Sequence, residues 1–151
     1  MQVQDRQRRF KVHGRSVESF CSGLLRKLGK TGWALSVTFV GPKVMQAINH
    51  DYRGRDYPTD VLSFHYPGET IDGIPFLGEI IVAPGVAWAR ARNSSGGGEQ
   101  EVRKLLVHGI LHLIGYDHET DQGEMNCLQS RIVRSSVFRD SAPVASLRNP
   151  S

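Results

Sequence analysis

The segment VHGILHLIGYDH, residues 107–118, holds three of the six histidines in this chain of 151 residues. His112 follows His108 by four positions, and His118 follows His112 by six. Histidines four apart on a helix lie on one face with Cβ atoms about 5–6 Å apart, so both imidazoles can reach a single ion. Gly115 can end the helix sharply and let the chain bring the third histidine back. The pattern predicts one metal ion bound by His108, His112 and His118.

The predicted metal site has three protein ligands, which leaves a fourth tetrahedral position open, as in catalytic zinc sites. Three imidazoles favour one Zn²⁺ ion, although nickel, cobalt, iron and copper also accept such ligands. The spacing is similar to the H-E-x-x-H-x-x-G-x-x-H motif of the metzincin proteases. Gly109 stands where those proteases have the glutamate that acts as general base. This glycine allows two interpretations, close packing against a neighbouring element or space beside the metal for a substrate. Under either one, the usual protease base is missing.

Hydrophobic patterning predicts the elements that must position these histidines. Strands interleaved with helices indicate an α/β fold with a small mixed β-sheet covered by helices. The histidines fall on the penultimate predicted helix and the turn after it. We expect one domain over residues 1–139 and a flexible C-terminal tail over 140–151. The predicted helices are 16–30 with Ser16 as its N-cap, one from Pro42, one from Pro84, 99–115 and about 121–137; the strands are an edge strand within 1–10, 34–40, 61–64 and 77–84; and 58–60, 66–75 and 93–98 are turns or loops.

Composition and charge narrow the class of protein. A hydrophobic fraction of 39% and a charged fraction of 23% are typical of a soluble globular domain. The net charge is +4, and QRRFKVHGR, YRGRD and RIVRSSVFRD are local basic clusters. These clusters are either solvated surface or a footprint for a polyanion. We predict a cytoplasmic protein with no membrane-spanning segment, in which Cys21 and Cys127 are buried free thiols in a reducing compartment.

Three segments together resemble the YbeY family of bacterial endoribonucleases and rRNA maturation factors: NHDYRGRDYPTDVLSF, LGEIIVAP and HGILHLIGYDH. The resemblance extends from the first predicted helix to the last. It implies an α/β fold, one metal held by His108, His112 and His118, and action on single-stranded RNA. It also implies a role in small-subunit rRNA maturation and ribosome quality control, with the small ribosomal subunit and its assembly proteins as partners.

The resemblance also assigns two further site residues. The family's functionally important arginine falls on Arg53, and its strand acid, usually aspartate, falls on Glu79. Arginine offers a planar fork that pairs with phosphate, and the alternative for Arg53 is a surface salt bridge. Glu79 is the remaining candidate for the proton acceptor, and the identity of the general base stays open. Asp117 either orients a ligand histidine or stabilises its turn, and Asp60 is expected to be a turn or cap residue.

Two other functions remain open at this point. One is a metal-dependent hydrolase of another substrate, such as a peptidase that takes its base from elsewhere. The other is a non-catalytic ribosome-assembly factor with a structural metal. The missing glutamate and the arginine clusters argue against the first, and the open fourth ligand position argues against the second.

Overall fold

Strands and helices alternate along the chain in the computed structural model, which describes residues 1–93, 96–117 and 120–148. The strands are β1 (Gln2–Arg6), β2 (Phe10–Val12), β3 (Ala34–Val40), β4 (Val61–His65), β5 (Thr70–Ile71), β6 (Ile74–Val82) and β7 (Ala145–Leu147). The helices are α1 (Gly14–Lys27), α2 (Pro42–Arg53), α3 (Pro84–Arg90), α4 (Gly97–Leu113), α5 (Glu124–Val133) and α6 (Ser136–Arg139), with a 3₁₀ turn at Ala91–Asn93.

The main sheet is mixed and has the order β1-β3-β6-β4. Strands β1, β3 and β6 are parallel, whereas β4 runs antiparallel to β6 and forms an edge. The short strand β5 pairs with the start of β6, and β2 pairs with β7 in a separate two-stranded sheet. The predicted α/β domain with a small mixed sheet and covering helices is therefore confirmed.

Helices cover the two faces of this sheet. Alternate residues of β6 point to opposite faces, because side chains along a strand alternate. Ile80 is fully buried in the larger core, to which α1 and α4 contribute. Ile81 belongs to the smaller core, which includes Met45 of α2. Glu79 is two residues before Ile81, so its side chain lies on the same face of the sheet, the face that α2 covers.

Several predicted boundaries differ from the structure. Helix α1 begins at Gly14 after His13, so Ser16 is inside the helix and is not its N-cap. The predicted loop 66–75 contains β5 and the start of β6. The predicted last helix divides into α5 and α6, because the Ser135 hydroxyl donates to the Ile132 carbonyl oxygen at 2.6 Å and competes with the helical bond. The histidine helix α4 is therefore followed by two helices and is not the penultimate one.

The C-terminal segment is ordered as far as the structure describes it. Val144 and Ala145 are fully buried, and Ala145–Leu147 pairs with Phe10–Val12. The Val144 amide donates to Oε2 of Glu99 at 2.9 Å. The prediction of a flexible tail is therefore wrong for this stretch. The strand pairs with residues more than 130 positions away, and such a distant partner cannot be predicted from local sequence. Residues 149–151 lie outside the described part.

The predictions for the loop 93–98 and for the two cysteines can also be compared with the structure. Of the predicted loop 93–98, residues 94 and 95 lie outside the described part, and Gly97 and Gly98 begin α4. Gly98 is in close contact with the Trp88 ring.

Cys21 is buried as predicted, but Cys127 is exposed on α5. The prediction of two buried thiols is therefore correct for only one of them.

Candidate metal centre and cleft

Two of the three predicted metal ligands lie side by side on α4. The ring centroids of His108 and His112 are 6.3 Å apart, and the rings are nearly parallel at 6°. The opposite face of α4 is apolar and buried, with Val102, Leu106 and Ile110 fully enclosed. Burial of that face fixes the rotation of the helix, and the imidazoles point away from the core.

The chain turns sharply after the second histidine, as the sequence predicts. Helix α4 ends at Leu113, and Gly115 has a φ of 114°, a conformation that favours glycine. The Gly115 amide donates to the His112 carbonyl oxygen at 3.2 Å, and the Tyr116 amide donates to the Leu111 carbonyl oxygen at 3.1 Å. These bonds satisfy carbonyl groups at the helix end and redirect the chain.

The third ligand is not placed by the structure. His118 lies outside the described residues. Within residues 1–93, 96–117 and 120–148, no group of three or more His, Cys, Asp or Glu side chains forms a metal cluster. The three-histidine centre therefore stays a prediction, of which the structure shows the His108–His112 pair.

One contact to a histidine was not predicted. Nδ1 of His108 lies 3.4 Å from Oε1 of Gln129 on α5. An amide oxygen can only accept, so this contact is a hydrogen bond in the tautomer that carries its proton on Nδ1, with the lone pair on Nε2. Hydrogen bonds of this kind fix the tautomer and orientation of metal-binding histidines. The sequence carries no signal for this pair, because the two residues lie 21 positions apart on different helices.

Gly109 is explained by packing. A Cβ atom at this position would lie 2.9 Å from Cδ1 and 3.0 Å from Cγ2 of Ile80 on β6. Ile80 is fully buried, so it has little room to move. Of the two interpretations, close packing against a strand is the one observed. At the position where a metzincin protease has its base, this chain has a glycine that packs α4 against the sheet.

A cleft of about 500 Å³ opens beside the two histidines. Arg53 lines the cleft from the last position of α2, which ends there because Gly54 adopts a φ of 67°. Asp117 lines it from the turn after α4. The structure thus brings Arg53 and the two histidines to one surface. The remaining lining residues are Tyr52, Val61, Leu62, Ser63 and Phe64.

Glu79 is not among the residues that line this cleft. It pairs with Phe64 across the β4–β6 ladder on the α2 face of the sheet, whereas α4 packs on the other face through Gly109 and Ile80. Burial raises the pKa of the Tyr66 phenol, and the charge of nearby Glu79 raises it further. Glu79 therefore acts on Tyr66 through its charge, and its predicted catalytic role stays a prediction.

The segment between Arg53 and β4 is held by structural contacts. The buried Asp60 carboxylate forms an ion pair with Arg90 of α3. The Asn49 side-chain amide donates to the Tyr57 carbonyl oxygen at 2.8 Å. Arg55 donates to the Tyr57 hydroxyl at 3.0 Å. Asp60 thus anchors the turn, in keeping with the expected structural role.

These features define a small mixed α/β protein whose cleft presents two parallel imidazoles, a guanidinium and a carboxylate. The family model described as Endoribonuclease YbeY matches residues 2–136. The chain therefore belongs to the YbeY family, as the three sequence segments indicated. No helix in the described ranges is long and apolar enough to cross a membrane.

Individual relatives agree with this assignment. The chain is 42% identical over 102 residues to a protein named endoribonuclease YbeY from Thermodesulfovibrio yellowstonii, a match that covers 66% of this chain and 64% of that protein, just under two thirds. It is 39% identical over 109 residues to the Aquifex aeolicus protein of the same name, with 72% of each chain covered. The solution structure of a Thermotoga maritima protein matches with a TM-score of 0.63 and 29% identity, covering 93% of this chain and 91% of that one.

Proposed function

We propose that this protein is a metal-dependent endoribonuclease that cleaves single-stranded RNA in the cytoplasm, in maturation and quality control of the small ribosomal subunit. The observation that carries the proposal is the placement of Arg53, His108 and His112 around one cleft, in a chain whose relatives are named endoribonucleases. The proposed partners are rRNA, the small subunit and its assembly proteins.

The donor set around this cleft fits a zinc ion. The two imidazoles are parallel on one helix face, and a hydrogen bond from Nδ1 to Gln129 would leave Nε2 of His108 available to the ion. His118, three residues beyond the Gly115 turn, would be the third ligand. Bound zinc would supply a Lewis acid for a phosphoryl oxygen and would lower the pKa of a water molecule.

Arg53 would hold the phosphodiester. Its side chain is exposed at the cleft, and a guanidinium can pair with two phosphoryl oxygens at once. Charge that develops on those oxygens during cleavage would be stabilised by the same contact. The arginine thus supplies binding and charge stabilisation to one group of the substrate.

An aromatic pair beside the arginine fits a single-stranded substrate. The Tyr52 side chain is 71% exposed and meets the Phe64 ring edge to face, with centroids 5.1 Å apart. Exposed rings offer stacking surfaces to unpaired bases, which duplex RNA keeps inside its helix. The exposed ring would favour unpaired over duplex RNA.

Asp117 is the carboxylate best placed to accept a proton. It lines the cleft together with both histidines, whereas Glu79 is not among the described lining residues. A proton acceptor must come within hydrogen-bond reach of the proton that it removes. We therefore assign this role to Asp117 in preference to Glu79.

The proposal is tested by RNA cleavage with highly purified protein. A 5′-labelled single-stranded RNA and the same strand in a duplex are incubated with wild-type protein and with His112→Ala purified in parallel. We expect cleavage of the single strand, little cleavage of the duplex and loss of activity in the variant. Equal cleavage by His112→Ala would assign the activity to a contaminating ribonuclease.

The same preparations separate the alternative functions. Casein and a peptide library serve as substrates for a peptidase, and we expect neither to be cleaved. Peptide cleavage without RNA cleavage would identify a hydrolase of another class. Binding of RNA without cleavage, at full zinc, nickel, cobalt, iron and copper loading in turn, would identify a non-catalytic assembly factor.

A further inference from the structure

A second large concavity lies away from the histidine cleft. It is a groove of about 620 Å³ between the β1–β2 turn and the N-terminal ends of α2 and α3. Arg53 stands at the other end of α2, and twelve helical residues span about 18 Å. The groove is thus a separate surface, and nothing in the proposed RNA chemistry uses it.

The floor of the groove is apolar and rigid. Phe10, Val40, Pro42, Val44 and Pro84 line it. The Phe10 ring is only 1% exposed and packs on Trp88 with a centroid distance of 4.6 Å. By contrast, Val44 is 49% exposed. An apolar side chain bound here would remove this exposed surface from water, which is favourable.

The rim of the groove is strongly cationic. Arg6, Arg8, Arg9 and Lys43 all line it, and no carboxylate is among the lining residues in the described part of the chain. None of these four side chains takes part in an ion pair within the described ranges. Four positive charges on one rim outnumber the single Asp5 carboxylate in the adjoining turn and repel one another, so an anionic partner would relieve this repulsion.

The turn that carries the arginines is held in a fixed shape. The Gln7 side chain accepts from the Phe10 amide at 2.9 Å and donates to the Phe10 carbonyl oxygen at 2.9 Å. Asp5 accepts from the Gln7 side chain at 2.6 Å, so its carboxylate is engaged in the turn. A rigid cationic turn above an apolar floor loses little conformational freedom when a ligand binds.

We propose that this groove binds an acidic peptide segment of a partner protein. An apolar side chain of the segment rests on Val44 and Pro42, and flanking aspartates or glutamates pair with the arginines. Single-stranded RNA fits the groove less well. Surfaces that bind unpaired bases present exposed rings for stacking, and the only aromatic lining residue described here, Phe10, is buried.

The test is fluorescence anisotropy with the full chain and a labelled ten-residue peptide that has Leu-Phe at its centre and acidic residues on both sides. We expect saturable binding. Replacement of Leu-Phe by Ser-Ser, or of the acidic residues by Lys, should abolish it. The double variant Arg8→Glu/Arg9→Glu should weaken binding by about tenfold or more, and Val44→Ser by about fivefold.

The matched control is Arg26→Glu/Lys27→Glu, which reverses two exposed charges at the end of α1. This variant should bind the peptide within about twofold of wild type, because neither residue lines the groove. Thermal unfolding of every variant checks the fold.

Three results would overturn the proposal: no binding of the peptide, equal binding of the Ser-Ser peptide, or displacement of the peptide by a ten-nucleotide RNA at lower concentration than by unlabelled peptide. The last would make the groove a nucleic-acid surface. RNA cleavage by Arg8→Glu/Arg9→Glu is measured separately, and its outcome bears on the cleft and not on this groove.

Discussion

Gly109 of α4 lies so close to Ile80 of β6 that a Cβ atom on residue 109 would be 2.9 Å from Cδ1 of the isoleucine. The helix that carries the histidines is therefore pressed onto the sheet at the position where a metzincin protease carries its glutamate. Any side chain there would have to push α4 away from the strand. The absence of a protease base is thus linked to the packing that sets the position of the histidines.

Gly109→Ala should destabilise the protein by about 1 kcal/mol, because overpacking outweighs the gain in helix propensity. Gly23→Ala in α1 is the control, since a Cβ atom there would meet only Cγ1 of Val137 at 3.9 Å, and it should be neutral or stabilising. Urea unfolding measures both. Ile80→Val should cost less in the Gly109→Ala background than in wild type, and equal costs would mean that the two residues do not compete for space.

Metal content should depend on the three histidines. Protein purified without added metal should contain about one transition-metal ion per chain, with zinc favoured by the imidazole set. His112→Ala should lower occupancy sharply in elemental analysis, whereas His50→Ala, an exposed histidine of α2, should not. Full occupancy in a triple substitution of His108, His112 and His118 would disprove the site.

Arg53→Ala should lower the single-turnover rate on a single-stranded RNA by about 10²-fold or more, as expected when one preorganised contact to developing charge is lost. Arg53→Lys should recover part of the rate, because an ammonium cannot form the bidentate contact. Melting temperature and metal content should match wild type in both variants. A wild-type rate in metal-loaded Arg53→Ala would show that another group binds the phosphodiester.

Gln129→Ala should weaken metal binding by about 10–100-fold, the usual effect of removing a partner that orients a ligand histidine. Gln129→Glu should keep the affinity, because a carboxylate also accepts from Nδ1 of His108. Asn126→Ala, an exposed change on the same helix, is the control. Competition with a chelator gives the affinities, and an unchanged affinity in Gln129→Ala would make the 3.4 Å contact incidental.

The two cysteines should react at very different rates. Burial raises the pKa of the Cys21 thiol to about 12, so the reactive thiolate is scarce there at pH 8. Iodoacetamide followed by mass spectrometry should show modification of exposed Cys127 in folded protein and of Cys21 only after unfolding. Raising the pH from 7 to 9 should leave Cys21 unmodified in folded protein, because its pKa of about 12 lies above this range. Equal labelling of both residues in folded protein would show that α1 opens readily.

Local sequence was enough to predict the placement of the two histidines on α4 and the end of that helix. The i, i+4 spacing of His108 and His112 determines that they share a helix face, because the helical period is a local property of the backbone. Gly115 likewise determines where the helix ends. The strand at 34–40 and the α/β class follow from hydrophobic period, which is also local.

Other features were decided only by tertiary structure, because they join residues far apart in the chain. The approach of Gln129 to His108 depends on how α5 packs on α4, and the burial of Val144 depends on a strand partner near the N-terminus. Glu79 could be assigned to a strand from its sequence, but whether it shares a face of the sheet with α4 depends on how that helix packs. Local period sets the direction of each side chain within its element, and only the packing of elements determines what that side chain meets.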